Sequence, residues 1–150
     1  MDIVDLVPRW DSPEVSDLIA DAVYDRTPFR LRRVLYGYAI DPARHLIGFE
    51  RDGVLIGLLG LELGPGHAKI RHIAVQPAAR GQGVGREMVR WLVETAGMTS
   101  VVAETDRSAV GFYRRLGFRT TVLEELYPGT ERFHCELGAD LSDSVYGQYR

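Results

Sequence analysis

The chain has 150 residues, of which 45% are hydrophobic and 26% charged, the balance of a globular domain. Its net charge of −3, with no run of Lys or Arg, argues against a nucleic-acid partner. No segment approaches the ~20 apolar residues that cross a membrane, and the acidic amino terminus is unlike a signal peptide. One cysteine, Cys135, excludes an internal disulfide and suits the cytoplasm. We expect one cytoplasmic domain over residues 1–150, monomeric or homodimeric, with a flexible tail over residues 138–150.

The first half of the chain predicts a strand, two helices and a hairpin. Pro13 follows Ser12, a capping residue, and apolar residues then recur at helical spacing. Asp52-Gly53 is typical of a hairpin turn. The predicted elements are a strand over 3–7, a helix from 13, a short helix over 29–36 that ends near Gly37, and strands over 45–50, 54–63 and 68–75.

The second half alternates helices and strands. The predicted elements are a helix over 83–96, an apolar and therefore central strand over 100–103, a helix over 108–116 that ends at Gly117, and strands over 119–125 and 131–137. Because a helix joins strand 68–75 to strand 100–103, these two strands should be parallel, whereas hairpin-linked strands are antiparallel. The prediction is an α/β fold, with a mixed, mostly antiparallel central sheet, one parallel pair and helices on both faces.

A glycine-rich loop joins strand 68–75 to the following helix. Gly81, Gly83 and Gly85 stand at alternate positions, where a missing Cβ lets backbone amides approach a ligand. The first amides of a helix have no internal partner, and the helix dipole favours negative charge there. The loop therefore suits a phosphate, with Arg80 and Arg86 beside it. It matches neither the Walker A pattern nor the Gly-x-Gly-x-x-Gly fingerprint; a purely structural turn is the alternative.

The run Val75-x-Pro77-x-x-Arg80-Gly81-x-Gly83-x-Gly85 resembles the acetyl-CoA loop of the GNAT N-acetyltransferase superfamily. The resemblance implies that consecutive backbone amides hold the pyrophosphate of the coenzyme, and that the strand before the loop, at a splayed edge, pairs with its pantetheine arm. The implied cofactor-binding residues are Ile73, Ala74, Val75, Arg80, Gly81, Gln82, Gly83, Val84, Gly85 and Arg86.

A second run, Ala109-Val110-Gly111-Phe112-Tyr113-Arg114-Arg115-Leu116-Gly117-Phe118, is similar to a helix of the same superfamily. There the tyrosine hydroxyl lies near the coenzyme sulfur. An amine that attacks a thioester expels a thiolate, so a proton donor near sulfur lowers the barrier. The resemblance thus makes Tyr113 the candidate general acid. Asp106 stands where the family often has an Asn that holds the cofactor arm; a cap for the following helix is its alternative role.

The base that deprotonates the amine stays open among Glu104, Glu62, His72 and water. Glu104 ends the strand taken as buried, although it can also serve the dipole of the next helix. His72 and Arg71 alternate on a strand, so one should face the groove and the other a helix. Arg114 and Arg115 are interpreted as a solvated helix face, with the 3′-phosphate of the coenzyme as the alternative contact.

The resemblance implies an N-acetyltransferase that moves the acetyl group of acetyl-CoA to an amine by direct attack in a ternary complex. A non-catalytic acyl-CoA sensor of the same fold is the alternative. No His-Glu-x-x-His or Cys-x-x-Cys pattern occurs, so we expect no metal. The acceptor, a small molecule or a peptide, cannot be read from the residues; acidic side chains such as Asp25 hint at a cationic one, and a solvated surface explains them equally well.

Overall fold

The computed structural model describes residues 1–123 and 130–138. The strands are β1 (Asp2–Asp5), β2 (Arg44–Arg51), β3 (Val54–Gly64), β4 (His67–Val75), β5 (Ser100–Asp106), β6 (Arg119–Val122) and β7 (Arg132–Gly138). The helices are α1 (Pro13–Ile19), α2 (Pro28–Ile40), α3 (Val84–Arg90) and α4 (Val110–Arg115). A π-helical segment over Trp91–Thr95 extends α3, and short 3-10 turns cover Val7–Arg9, Ala20–Ala22 and Pro77–Ala79.

The strands form one seven-stranded sheet in the order β1-β2-β3-β4-β5-β7-β6. Neighbouring strands are antiparallel, except for the parallel pair β4 and β5. The predicted fold class and the parallel pair are therefore confirmed. The hairpin turn is confirmed as well, since Asp52 and Gly53 have φ values of 53° and 78°, as a type I′ turn requires.

Two hydrophobic cores lie on opposite faces of the sheet. On one face α1 and α2 cover strand residues that include Leu46, Leu58 and Ala74. On the other face α3 and α4 cover strand residues that include Leu59 and Ala103. The sheet thus separates two helical layers.

Several predicted boundaries of helices and strands were wrong. Helix α2 continues through Gly37 to Ile40, because burial of Leu35 and of Tyr38, each 2% exposed, outweighs a glycine penalty of about 1 kcal/mol. The first strand ends at Asp5, and Pro8 lies in a 3-10 turn. Strand β5 runs on to Asp106.

Part of the sequence prediction lies outside the described residues. This holds for the end of the strand expected over 119–125 and for nearly all of the tail expected over 138–150. Among residues 1–123 and 130–138, no helix is both long and apolar enough to cross a bilayer. The same ranges hold no cluster of three or more potential metal ligands.

Candidate functional site

The parallel strands β4 and β5 part at the centre of the sheet. Their pairing runs from His67 and Ser100 to Ile70 and Ala103 and then stops, although both strands continue. On its other edge β4 carries one extra residue at this point, because Gly60 pairs with His72 while Leu61 pairs with Ile70. Such a bulge bends the strand that contains it. The splayed edge expected at Ile73–Val75 is therefore present.

A cleft of about 630 Å³ lies beside the parted strands. It is lined by Asp21, Ile73, Ala74, Val75, Ala79, Arg80, Gly81, Gly83, Val84, Gly85, Arg86, Ala109, Phe112, Tyr113, Arg115 and Leu116. The two sequence motifs, one in the glycine-rich loop and one in α4, thus form a single site.

The glycine-rich loop presents six consecutive backbone amides that make no hydrogen bond to other described residues. Those of Gly81, Gln82 and Gly83 have no backbone or side-chain acceptor in residues 1–123 and 130–138. Those of residues 84–86 form the first turn of α3, where no internal acceptor exists; the first bond of the helix runs from the Glu87 amide to the Gly83 carbonyl. Free amides at a helix N-terminus suit an anionic group such as a diphosphate.

The three glycines of this loop serve two different purposes. Gly81 and Gly83 have φ values of 76° and 81°, and a Cβ at either would meet no protein atom within 4 Å. Gly85 is helical, and a Cβ there would lie 2.9 Å from the ring of Phe112. Gly81 and Gly83 therefore shape an open loop surface, called here the cradle, over residues 81–86. Gly85 instead allows α4 to approach α3.

The arginines beside the cradle differ in their partners. Arg80 donates from Nε to the Val75 carbonyl at 3.0 Å and from Nη2 to Asp21 at 2.9 Å. Its guanidinium is thus engaged within the protein. Arg86 and Arg115 line the cleft and have no ion pair with any residue in the described ranges. They are the cations available to an anionic ligand.

Tyr113 is 4% exposed and forms part of the cleft wall. Its ring packs edge-on against Phe112 and Phe118, with centroids 5.1 Å away in each case. Burial, followed by the nearby Cys135, raises the pKa of its hydroxyl, so the group stays protonated near neutral pH. No residue of the described part accepts or donates a hydrogen bond at this hydroxyl. Tyr113 therefore offers a free proton donor to the cleft.

Three predicted site residues, Gln82, Glu104 and Asp106, lie outside the cleft lining. The Gln82 side chain donates to the Ala78 carbonyl and accepts from Arg51. Asp106 caps the turn before α4, since its Oδ1 accepts from the amides of Ser108 and Ala109 at 3.0 and 3.1 Å. These hydrogen bonds, led by the Ser108 hydroxyl, lower the pKa of Asp106. That turn also explains why α4 begins at Val110 and not at Ser108.

The candidate bases have different surroundings. Glu104 is exposed and lines neither the cleft nor a second cavity described below. Glu62 contacts Arg71 at 3.7 Å and Arg44 at 3.9 Å. His72 is the one of the three that lines a cavity, on the opposite face of the sheet.

This second cavity has a volume of about 410 Å³ and is lined by Ala22, Val23, Tyr24, Asp25, Arg30, Val34 and His72. Asp21 and Ile73 line the first cleft, and their chain neighbours Ala22 and His72 line the second. The chain therefore passes from one cavity lining directly to the other at two places, Asp21–Ala22 and His72–Ile73.

The expected alternation of Arg71 and His72 was wrong, because the bulge shifts the strand by one residue. Before it, Ile70 packs on the α3 and α4 side, whereas after it Ala74 packs on the α1 and α2 side. Arg71 and His72 consequently both contact Tyr38 of α2. The Nδ1 atom of His72 lies 2.5 Å from the Tyr38 hydroxyl.

Burial and three arginines keep the His72 ring neutral. Burial has the largest effect, Arg71, Arg44 and Arg30 add to it, and together they lower the pKa of His72 to about 4. Burial also raises the pKa of Tyr38. Both members of the pair are therefore uncharged at neutral pH.

The depressed pKa of His72 predicts acid sensitivity. Between about pH 6.5 and pH 4, His72 is protonated in the unfolded chain but stays neutral in the folded protein. The free energy of unfolding therefore decreases as the pH is lowered through this window. Between pH 7 and pH 4 we expect the free energy of unfolding of the wild-type protein to fall by about 2–3 kcal/mol more than that of His72→Gln. Urea unfolding at both pH values measures the difference. His45→Gln, which removes a histidine that lines neither cavity, should behave as wild type; equal losses in all three proteins would contradict the prediction.

Sequence reasoning missed several residues of the site. Asp21 lines the cleft without belonging to a recognised motif, and Tyr38 is fixed against His72 only in the folded chain. Arg115 was interpreted as solvated, yet it lines the cleft, whereas Arg114 donates to Thr120. No local signal marks Asp21 or Tyr38, whereas Arg115 lies within the motif that contains Tyr113.

Comparisons with known proteins agree with this arrangement. The model of the acetyltransferase (GNAT) family matches residues 10–118. The N-alpha-acetyltransferase RimI of Mycobacterium tuberculosis is 33% identical over 93 residues, which are 57% of this chain and 59% of the relative. The chain thus matches less than two thirds of that relative's length.

Solved structures share the fold at low sequence identity. The ribosomal-protein-S18-alanine N-acetyltransferase of Escherichia coli has a TM-score of 0.72 and 18% identity, with 95% of this chain and 96% of that chain covered. A GNAT family acetyltransferase of Elizabethkingia anophelis, solved with acetyl-CoA bound, has a TM-score of 0.66 and 19% identity, with 91% and 97% covered.

Proposed function

Because the chain belongs to the acetyltransferase (GNAT) family, we propose that it transfers the acetyl group of acetyl-CoA to an amine. The amine attacks the thioester directly while both substrates are bound. The observation that carries this proposal is the cleft, which is lined by Tyr113 and by five residues with free amides, Gly81, Gly83, Val84, Gly85 and Arg86.

The amides of residues 81–86 would hold the pyrophosphate of the coenzyme, with Arg86 and Arg115 adding charge-assisted hydrogen bonds. The pantetheine arm would run along Ile73–Val75, where β4 has lost β5 as a neighbour. A chain that fills the gap between the strands can use the strand's backbone groups. The thioester would then lie beside Tyr113, in the part of the cleft that Ile73–Val75 also line.

Tyr113 would act as the general acid. When the tetrahedral intermediate collapses, the carbon–sulfur bond breaks and the thiolate takes the proton of the phenol. The hydroxyl is suited to this because it is protonated, lines the cleft and is free of other partners in the described ranges. We keep Asp106 as a cofactor contact, as an expectation carried over from the sequence, besides its role as a cap.

The acceptor would be a small-molecule or peptide amine. The relatives named above are called N-acetyltransferases of an α-amine and of a ribosomal-protein alanine, which supports an amine acceptor. The single cysteine, Cys135, is buried and unpaired, which supports a reducing, cytoplasmic location.

Cofactor binding gives the direct test. Acetyl-CoA at 100 times its dissociation constant should stabilise the folded protein by about 2.7 kcal/mol, which is roughly 5–10 °C in melting temperature for a domain of this size. Thermal unfolding with and without acetyl-CoA or CoA measures the shift. Release of free thiol in the presence of amines then separates an enzyme from a sensor. If neither coenzyme moves the melting curve, the cofactor assignment fails.

A further inference from the structure

We propose that the outer face of α2 binds an acidic, amphipathic helix of another protein. This face consists of Phe29, Arg33, Tyr36 and Ile40, which are called here the outer stripe. None of the four residues lines either cavity, so this surface is separate from the site proposed for acetyl transfer.

Helix α2 carries apolar side chains on two opposite faces. Successive helical residues are about 100° apart, which places the outer stripe opposite the buried face. The buried face consists of Leu31, Leu35 and Tyr38. A helix that packs on one side normally carries polar residues on the other. In the outer stripe, however, Phe29, Tyr36 and Ile40 are 76%, 50% and 61% exposed. The stripe is therefore an apolar face that is open to solvent.

The spacing of the outer stripe is that of a seam between two helices. Its residues are four, three and four positions apart, as the a and d positions of a heptad repeat are. Numbered in this way, Phe29 and Tyr36 are d positions, and the other two members are a positions. Arg30 and Arg32 then take the flanking e and g positions, where charges determine which helices pair. A second helix can therefore pack along this face.

Trp10, from the 3-10 turn before α1, extends one side of the stripe. Its ring packs against Tyr36 with the centroids 5.7 Å apart. The guanidinium of Arg32 lies 5.0 Å from the centroid of the same Trp10 ring. Tryptophan, tyrosine and arginine dominate the energies of protein–protein contacts. Because the three side chains already hold one another in place, a partner has less side-chain freedom to remove on binding.

The arginines of α2 lack carboxylate partners of their own. Arg32 and Arg33 form no ion pair with any residue in the described ranges, and α2 itself contains no acidic residue. Asp25, before the helix, interacts electrostatically with Arg30. Asp41, after the helix, contacts an arginine of β2. The positive charge beside the outer stripe is therefore available to a partner.

These charges favour one kind of occupant. If the α2 helices of two copies paired, the arginines of one would face those of the other, and like charges at such positions oppose pairing. An anionic membrane or a nucleic acid would meet a chain of net charge −3 and an acidic neighbour of the stripe, since Asp11, Glu14 and Asp17 are exposed in and before α1. A helix with apolar seam residues and flanking Glu residues matches both the stripe and its arginines.

The length of the outer stripe limits the affinity. At 1.5 Å per residue the stripe is roughly 16 Å long, which is less than two full heptads. The contact is therefore smaller than the ~1,200 Å² that stable complexes bury. We expect a transient complex with a dissociation constant on the order of 10–100 µM.

Two synthetic peptides test the kind of partner. Each has three heptads with Leu at the a and d positions; one has Glu at the e and g positions and the other has Lys, so neither pairs with itself. We expect the Glu peptide to bind the full chain at low salt with the affinity given above, and the Lys peptide to bind at least about tenfold more weakly. Fluorescence anisotropy of labelled peptides measures both. Equal binding, or no saturable binding of the Glu peptide, overturns the proposal.

Charge reversal tests whether the peptide binds at the outer stripe. In the double variant Arg32→Glu, Arg33→Glu the Lys peptide should bind about tenfold more tightly than the Glu peptide. A misfolded variant cannot produce this reversal. Phe29→Ser should weaken the Glu peptide by about tenfold, whereas Val54→Ser, which removes an exposed apolar side chain at the start of β3, should match wild type. An unchanged preference in the double variant contradicts the assignment.

The same variants identify a different occupant. Sedimentation would detect a dimer of the chain that Arg33→Glu dissociates, and this result would assign the stripe to a second copy. Binding to phosphatidylglycerol vesicles that Arg33→Glu abolishes would assign it to a membrane. Either result overturns the proposal, and we expect a monomer at the stripe and no binding to the vesicles.

Discussion

Gly83→Val should remove the stabilisation by acetyl-CoA while leaving a folded protein. At φ 81° a branched side chain strains the backbone, at a cost on the order of 1–3 kcal/mol. No protein atom lies within 4 Å of the added Cβ, so the valine projects into the open space of the cradle. There it would displace the pyrophosphate, and we expect affinity for acetyl-CoA to fall at least a hundredfold. Calorimetric titration and melting curves measure both effects.

Gly53→Val is the matched control for this substitution. Gly53 has a φ of 78°, and a Cβ there also meets nothing within 4 Å, but it lies in the β2–β3 hairpin, away from the cleft. Both variants should lose similar stability, and only Gly83→Val should lose the cofactor. If the affinity of Gly83→Val for acetyl-CoA is unchanged, the loop is only a structural turn.

Tyr113→Phe should separate chemistry from binding. The change keeps a ring that packs on Phe112 and Phe118 and removes one hydroxyl. A group that donates its proton as the thiolate leaves acts in the transition state, so kcat should fall and cofactor affinity should not. General acids supply ~10²- to 10⁴-fold; since water can replace part of this in an open cleft, we expect a loss on the order of tenfold or more.

The measurement requires that chemistry limits the rate, which single-turnover kinetics establishes. Tyr36→Phe, which removes the hydroxyl of a half-exposed tyrosine on α2, controls for the substitution as such. If Tyr113→Phe turns over at the wild-type rate under these conditions, Tyr113 is a packing residue. The assignments of fold and cofactor do not depend on this outcome.

The parts of the fold and of the cleft that depend on short-range sequence could be predicted. The loop at Gly81 and Gly83 and the helix that carries Tyr113 are each contained in about ten consecutive residues, so each could be recognised by its resemblance to a family motif. The parallel pair followed from the helix between β4 and β5, since such a crossover leaves little choice of direction.

The contact between Tyr38 and His72 could not be predicted in the same way. Tyr38 and His72 are 34 positions apart, and their contact depends on a helix that runs through Gly37 and on an extra residue in β4. Propensity predicted neither, because both are set by tertiary packing. The ion pair of Asp21 with Arg80, 59 positions away, is equally invisible in a local pattern.

The bulge at Arg71 makes the number of residues in β4, and not only their identities, a determinant of which side chains reach each face of the sheet. Deleting Arg71 would restore a regular ladder with β3 and rotate either His72 or Ile70 to the wrong side of the sheet. Single substitutions leave the residue count unchanged, so a complete substitution scan of this strand would not reveal the requirement. A one-residue deletion in β4 is therefore the genetic change that tests this requirement.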